Sequence, residues 1–196
     1  MLNDQDLTAY IHFFHEVGLL SDTPRSGFAF LGSGKQSVAE HSFRMALIAY
    51  ALADLVPTEK IDRSKLLAMS LLHDLPEARI GDLNYVNKRY VEANEEKALE
   101  DIRSAYPCGS HIFDLLKEYR EGKTIEAKLA HDADQLELML ALQKELELGN
   151  TFASTWLENA SKRIQTPAGK ALAQKIGSVL SHTWWSGLEV NFQNSP

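Results

Sequence analysis

The sequence predicts an all-α protein. Apolar residues recur at intervals of three and four along most of the 196-residue chain, which is the spacing of one face of a helix. Several of these segments begin at a capping residue and end at glycine or proline, as helices do. No segment shows a convincing alternation of apolar and polar residues, which would indicate a half-buried strand. We therefore expect helices packed around one core.

Composition indicates one soluble domain. The chain is 44% hydrophobic and 24% charged, which is ordinary for a globular protein. No apolar run approaches the ~20 residues needed to cross a bilayer, and the N-terminus is acidic where a secretory signal would be basic. The single Cys108 fits a reducing compartment. We expect a cytoplasmic protein that does not bind a membrane.

The charge balance bears on possible partners. The chain has 27 acidic and 20 basic side chains, a net charge of −7. It contains no cluster of lysine and arginine that would follow a phosphate backbone, so we expect no nucleic-acid polymer as a partner. A small phosphate ester held by one or two local cations is compatible with this balance.

The first two predicted elements are a helix over residues 4–20 and a loop over residues 21–36. A proline and three glycines interrupt the second segment. Loops of this length inside a compact domain are usually functional. The loop contains Arg25, which could contact a phosphate, although a surface arginine is the plainer interpretation of that residue alone. The apolar stripe of the first helix consists of Leu7, Tyr10, Ile11, Phe14, Val17 and Leu20.

A capping box marks the start of the next helix. Ser37 and Glu40 have the spacing at which each side chain bonds the backbone of the other residue. His41 follows directly, so it should lie in the first turns on or near the inward face, among apolar residues at helical spacing. Pro57 should close this helix.

The helix after that carries a histidine and an aspartate side by side at its end. Asp62 is suited to cap it, and leucines nearly surround it, so we expect it to be central and buried. His73 and Asp74 form its C-terminal end. Pro76 cannot donate a backbone hydrogen bond and should break the helix just after the pair, opening both side chains toward a cavity.

The rest of the chain is also predicted to be helical. Asp134 shares a stripe with alanines and leucines and should point inward, whereas Asp132 points elsewhere. Trp156 is interpreted as a packing anchor rather than a stacking platform. The predicted helices are 88–105, which we interpret as a solvated outer helix, 112–119, 124–148, 152–163 and 167–182.

Four side chains on three of these helices form a candidate metal site. His41, His73, Asp74 and Asp134 together offer two imidazoles and two carboxylates, which suit a divalent ion such as Co, Mn, Mg, Fe or Zn. In the alternative interpretation, His73 and Asp74 only cap a helix end and Asp134 bonds a neighbour. The isolated residues leave both interpretations open.

Three local strings carry a resemblance to a known family: Ser-Val-Ala-Glu-His41-Ser, Leu-Leu-His73-Asp74-Leu-Pro-Glu77-Ala-Arg-Ile-Gly-Asp82 and Ala-His-Asp-Ala-Asp134-Gln-Leu-Glu. They resemble the HD-domain metal-dependent phosphohydrolases, and within them the 5'-deoxynucleotidase and HD domain-containing protein 2 group. The resemblance covers about residues 24–143 and, more loosely, the helix that starts at 166. It implies an HD-type helical bundle with one HD domain over 1–196, a metal-site core at about 24–143 and C-terminal helices over 152–182 packed on it.

The resemblance also implies roles for individual residues. Glu77 and Asp82 match the pair that handles protons and holds the substrate, and Arg25 matches an arginine that contacts the nucleotide. His131 departs from the family string and lies near the same helical face as Asp134; we interpret it as supporting or structural rather than as a further ligand. The residues matched to the ligands of one divalent metal ion are His41, His73, Asp74 and Asp134.

The activity implied by the resemblance is hydrolysis of 2'-deoxyribonucleoside 5'-monophosphates at the 5'-phosphate. A small-molecule nucleotide would be the substrate, and the family suggests a homodimer. Two alternatives stay open: an HD phosphohydrolase acting on another nucleotide phosphoester, and a non-catalytic nucleotide-binding HD module. The pairing of a full ligand set with Glu77 and Asp82 favours an enzyme, because a simple binding protein has no need of proton-handling carboxylates.

Overall fold

The structure is a computed structural model that describes residues 3–56 and 60–186. Within these residues the chain forms helices and no β-sheet, which confirms the all-α prediction. None of the helices described is both long enough and apolar enough to span a membrane. The α-helices are α1 (Asp4–Gly18), α2 (Gly27–Leu31), α3 (Val38–Asp54), α4 (Arg63–Leu72), α5 (Glu77–Ile80), α6 (Glu95–Ala105), α7 (Gly109–Glu121), α8 (Ile125–Glu147), α9 (Ala153–Ser161), α10 (Pro167–Ile176) and α11 (Thr183–Ser186).

The long helix α8 is the centre of the fold. Thirteen of its residues are buried, and α3, α4, α7, α9 and α10 all pack against it. The expectation that the helix leading to His73 would be central is wrong: α4 buries only Leu66, Met69 and Ser70. The difference arises because α8 takes the central position and leaves one side of α4 near the surface. The main core cluster includes Met45, Leu52, Leu66, Met69, Leu129, Leu136 and Met139.

Helix α1 forms as predicted, but its apolar stripe does not face the core. No residue of α1 is buried, and the side chains of Leu7, Ile11 and Phe14 are more than half exposed. Only Leu20, in the turn after the helix, is buried. The spacing of apolar residues indicates a helix, but it does not indicate which neighbouring element covers the stripe.

The segment over 21–36 is more ordered than a loop. It contains the short helix α2, and an isolated antiparallel bridge between Pro24 and Ser37 closes its two ends. The backbone N–H of Arg25 donates to the carbonyl of Gln36 at 2.9 Å, and the N–H of Val38 donates to the carbonyl of Thr23 at 2.9 Å. The segment is therefore pinned directly at the start of α3.

Two predicted helices have different bounds in the structure. The charged segment from Lys88 is helical only from Glu95 onward, because the Asn94 side chain caps the helix there by accepting from the N–H of Lys97 at 2.9 Å. That helix also buries three residues against its neighbours, so it is not simply solvated. The last long helix ends at Ile176 rather than at residue 182, since Gly177 follows it. Pro57 lies outside the described residues.

The four predicted helix caps are confirmed. Ser37 makes both bonds of its capping box with Glu40. At the other three caps a side-chain oxygen accepts a backbone N–H of the first turn, which satisfies a donor that the helix itself leaves unpaired. These caps are Asp62, Thr124 and Thr166.

Candidate metal centre

The four candidate ligands converge in the structure. Nε2 of His41 lies 3.4 Å from Nε2 of His73 and 3.3 Å from Oδ1 of Asp134. Oδ2 of Asp74 lies 3.0 Å from Nε2 of His73 and 3.7 Å from Nε2 of His41. The ligand atoms of His41, His73 and Asp134 are all within 4.8 Å of one another. Residues from α3, α8 and the end of α4 therefore meet at one point.

The end of α4 aims the His73 ring. The helix stops at Leu72, His73 is its C-terminal cap, and Pro76 precedes the short helix α5, so the break expected at the proline is present. Nδ1 of His73 lies 3.1 Å from the carbonyl oxygen of Ser70. Because a carbonyl only accepts, Nδ1 carries the proton and donates it, which leaves Nε2 with a free lone pair toward the other ligands.

Glu137 holds the His41 ring, and the sequence analysis missed this residue. Its fully buried carboxylate accepts from Nδ1 of His41 at 2.6 Å, from Nε2 of Gln36 at 2.6 Å and from Nε of Arg44 at 2.7 Å. A carboxylate behind a histidine is the usual support of a metal ligand, since it fixes the tautomer and the ring orientation. Glu137 lies one turn after Asp134 on α8, and that spacing was the available signal.

The donor set fits a cation. With Nδ1 of both histidines donating elsewhere, two Nε2 lone pairs and two carboxylates face each other, and such a group of acceptors needs a positive charge among them. Burial lowers the pKa of His41, but its hydrogen bonds to Asp134 and Glu137 raise it more, to about 9. Without a bound metal ion, a proton on His41 therefore supplies the positive charge that these acceptors need. The separations of 3.0–3.7 Å between these atoms match those of ligands about 2.1 Å from one metal ion.

Asp134 is negatively charged in this arrangement. Burial raises the pKa of its carboxyl group. The hydrogen bond from His41 and the charges of His41 and His73 lower this pKa by more than burial raises it, so the pKa lies well below the ordinary value. Oδ2 of Asp134 also accepts from Nε2 of Gln135 at 2.8 Å. The inward direction predicted for Asp134 is thus the direction the structure gives it.

Arg25 lies beside the candidate metal ligands. Its NH1 is 3.4 Å from Oδ2 of Asp74. Burial lowers the pKa of the guanidinium, and the charges of Asp134, Asp74 and Asp82 raise it above the ordinary value, so Arg25 stays protonated. The structure therefore places a cation beside the candidate ligands, and the phosphate-binding role that the resemblance implies for Arg25 stays a prediction.

Asp82 holds the segment that carries Arg25. Its Oδ2 accepts from the backbone N–H of Ser26 at 2.6 Å, and the Ser26 hydroxyl in turn accepts from Nδ2 of Asn84 at 3.0 Å. Gly81 ends α5 and leads into Asp82 with φ of +75° and ψ of 160°, a backbone conformation that favours glycine. The two segments that flank the candidate site are thereby fixed to each other.

Glu77 is the unusual carboxyl group of the site. Burial and the charges of Asp74 and Asp82 raise the pKa of Glu77 to about 9, so it carries a proton at neutral pH. Its Oε2 atom is buried and has no hydrogen-bond partner among the described residues. A buried unpaired oxygen is costly, which indicates a position prepared for a ligand or a proton exchange.

These side chains open into one large cavity of about 860 Å³. Its lining includes His73, Asp74, Glu77, Asp82 and Asp134, and a cavity of this size accommodates a mononucleotide. Trp156 also lines it. The interpretation of Trp156 as a packing anchor is therefore incomplete: the ring packs against the small core cluster of Leu31, Leu142 and Ala153, but it also faces the cavity.

The second His-Asp pair, on α8, has a structural role. Nε2 of His131 donates to the carbonyl of Tyr119 at 2.8 Å, and the two rings stack at 4.1 Å, so His131 supports α7. The buried carboxylate of Asp132 accepts from the N–H groups of Gln165 and Thr166 at 2.7 and 2.8 Å. Asp132 thus holds the start of α10, and neither residue faces the candidate ligands.

Comparisons with known proteins agree with this geometry. An HD domain family model matches residues 17–176. The 5'-deoxynucleotidase HDDC2 of Dictyostelium discoideum is 30% identical over 88% of this chain and 98% of that protein. The 5'-deoxynucleotidase hdd1 of Schizosaccharomyces pombe is 28% identical over 94% of this chain and 97% of that protein. A crystal structure from Pyrococcus horikoshii OT3 superimposes with a TM-score of 0.73 at 29% identity, over 86% of this chain and 96% of that chain. The resemblance seen in the sequence is confirmed.

We predict that binding of Mn²⁺ or Co²⁺ releases about one proton between pH 6.5 and 9. The ion needs neutral His41, whose pKa is raised to about 9, so the proton on that ring must leave. Affinity should therefore rise as pH increases toward 9, by up to about tenfold per pH unit, and level off above it. Calorimetry in buffers of different ionisation enthalpy measures the proton count. His12→Gln, on the exposed side of α1, is the matched control and should bind as the wild type does. An affinity independent of pH over this range would contradict the prediction.

Proposed function

Because the chain belongs to the HD domain family, we propose that it is a metal-dependent phosphohydrolase that removes the 5'-phosphate from 2'-deoxyribonucleoside 5'-monophosphates. The observation that carries the proposal is the convergence of His41, His73, Asp74 and Asp134 beside a cavity that Glu77 also lines. Burial and the charges of Asp74 and Asp82 raise the pKa of Glu77 above its ordinary value. The relatives from Dictyostelium discoideum and Schizosaccharomyces pombe are both named 5'-deoxynucleotidases, which supports the same substrate class.

The four converging side chains are the proposed ligands of one divalent ion. When bound, such an ion supplies a Lewis acid that neutralises charge on a phosphate oxygen and makes a bound water a better nucleophile. The mixed nitrogen and oxygen donors suit Co, Mn, Mg, Fe or Zn. Glu137 keeps the His41 ring in position, so this carboxylate acts on the site through its ligand.

Arg25 and Asp82 are proposed to bind the substrate. A phosphate oxygen is a stronger partner for the buried guanidinium of Arg25 than the single 3.4 Å contact with Asp74, so the substrate can take its place. Asp82 fixes the Arg25 segment through Ser26, and its carboxylate is placed to accept a hydrogen bond from a sugar hydroxyl. The phosphate would thus lie between the fixed cation and the metal ligands.

Glu77 is the proposed general acid. Water attacks phosphorus, the bond between phosphorus and the sugar O5' breaks, and the departing oxygen takes a proton to become a hydroxyl group. Burial is the largest of the causes that raise the pKa of Glu77, and it does not depend on the charge of the neighbouring ligands, so Glu77 can hold a proton and give it to that oxygen. The attacking water loses a proton in the same reaction, which returns Glu77 to its protonated form.

We predict that the purified protein with added Co²⁺ or Mn²⁺ releases phosphate from 2'-deoxyribonucleoside 5'-monophosphates and loses this activity when EDTA removes the metal. A malachite-green assay over deoxy- and ribonucleoside 5'-monophosphates, a 3'-monophosphate, a 2',3'-cyclic nucleotide and single-stranded DNA measures the preference. We expect the deoxy 5'-monophosphates to react fastest and the DNA to be unchanged. Faster reaction of another phosphoester would support the first alternative, and no turnover of any compound would support a non-catalytic nucleotide-binding module.

We predict that Glu77→Gln lowers kcat by about 10²–10⁴, because glutamine fills the same space but cannot give a proton to the leaving oxygen. In the wild type, activity should fall as pH rises through the raised pKa of Glu77, since the acid then loses its proton, and this decline should be absent in the variant. Calorimetry should show that the variant still binds metal. Glu92→Gln, an exposed glutamate away from the cavity, is the control. A variant with nearly normal kcat would rule out this role.

We also propose that the protein is a homodimer. The exposed apolar side chains Leu7, Ile11 and Phe14 form one row on α1, and Phe43 and Leu47 begin another on α3. Rows of this kind on a protein surface favour contact with another protein surface. Light scattering should give a mass near twice 21.9 kDa, and Phe14→Asp with Leu47→Asp should halve it. A wild-type mass of one chain would contradict the proposal.

A further inference from the structure

We propose that Tyr85 and Trp156 bind the base of the nucleotide, and that this site favours purines. This inference rests on the proposed function and adds the part of the substrate that the metal ligands do not touch. The two aromatic rings line the same cavity as His73, Asp74 and Asp134. They come from different segments, Tyr85 from the chain after α5 and Trp156 from α9.

The two rings form a corner. Their centroids are 5.9 Å apart and their planes are inclined by 80°. The side chain of Tyr85 is exposed, at 69%, so its ring surface is available to a ligand. Aromatic faces bind nucleobases by stacking, and exposed aromatic groups next to a phosphate site are the usual means of holding a base that is not read by hydrogen bonds.

Trp156 is held rigidly in this position. One part of its ring packs with the Leu31, Leu142 and Ala153 cluster. Its six-membered ring also lies against Gly27, where a Cβ atom would come within 3.2 Å of it. Gly27 thus permits the close approach of α9 to the start of α2. A rigid wall loses little conformational entropy when a ligand stacks on the corner that it forms with Tyr85.

The same two segments carry the phosphate-binding groups and the aromatic corner. Gly27, which touches Trp156, follows closely after Arg25, and Tyr85 follows closely after Asp82. The hydrogen bonds from Ser26 N–H to Asp82 and from Asn84 to the Ser26 hydroxyl fasten the segments together. The corner is therefore held in a fixed position relative to Arg25 and Asp82.

Stacking on this corner predicts that the site accepts all four bases and that it binds purines more tightly than pyrimidines. Every base has an aromatic face, so the corner accepts all of them, but a purine covers more ring area than a pyrimidine. We therefore expect a lower KM for 2'-deoxyadenosine and 2'-deoxyguanosine 5'-monophosphates than for the cytidine and thymidine compounds. The chemical step occurs at the phosphate, so the preference should be expressed in KM more than in kcat.

The test measures kcat and KM of the metal-loaded enzyme for 2'-deoxyadenosine and 2'-deoxycytidine 5'-monophosphates, with inorganic phosphate as an inhibitor that has no base. Tyr85→Ala should raise KM for the purine nucleotide about tenfold and reduce the preference for purine, with the inhibition constant of phosphate changed less than about twofold. Trp156→Ala should raise KM in the same way. Trp156→Phe keeps an aromatic ring, so its KM should lie close to that of the wild type. Tyr90→Ala and Trp184→Ala, both exposed and outside the cavity lining, are the matched controls.

The outcomes separate this inference from the proposed function. Turnover with an unchanged KM in Tyr85→Ala and in the tryptophan variants would overturn base binding at the corner and leave the proposed function intact. An equal rise in KM and in the phosphate inhibition constant would also overturn it, because the change would then not depend on the base. Should Trp156→Ala fail to fold, Tyr85→Ala decides alone, since its side chain is exposed. No nucleotide turnover by the wild type would reject both proposals.

Discussion

The buried carboxylate of Glu137 is the constraint on which the rest of the site depends. A charge in the interior is strongly destabilising unless donors surround it, and here His41, Arg44 and Gln36 supply them. Two of these residues belong to α3, and the third lies just before its cap. Satisfying this one charge therefore sets α3 against α8 and turns Nε2 of His41 toward His73 and Asp134. His73 and Asp134 then complete a group of acceptors that only a cation can stabilise.

Much of the fold followed from local patterns, and the two failures that concern burial share one cause. Caps such as Ser37 and Thr124 act within a few residues, so the sequence predicted them correctly. Burial depends on which helix reaches the centre, and this is decided by packing between distant segments. The apolar stripe of α1 therefore predicted a helix but not the direction in which the stripe faces. For the same reason α4 was predicted to take the central position that α8 occupies. The start of α6 was missed because the Asn94 cap was overlooked.

The candidate site shows the same division between local and distant information. Residue types and their strings identified His41, His73, Asp74, Asp134, Glu77, Asp82 and Arg25, and the structure brings them to one cavity or its edge. The sequence did not identify Glu137, whose importance lies in a contact with another helix, or Tyr85, whose partner Trp156 is distant in the chain. Residues that act through a distant partner leave little trace in a single sequence.

The two aspartates near the middle of α8 give this helix a further property. Asp132 holds the start of α10 on one face, and Asp134 meets His41 on another. Since each residue of a helix turns by about 100°, inserting or deleting a single residue between Asp132 and Asp134 would rotate one carboxylate away from its partner while the other stayed in place. Variation in length can thus be accommodated in the connections between helices, but the spacing of these two aspartates is fixed by the elements that pack on both faces of α8.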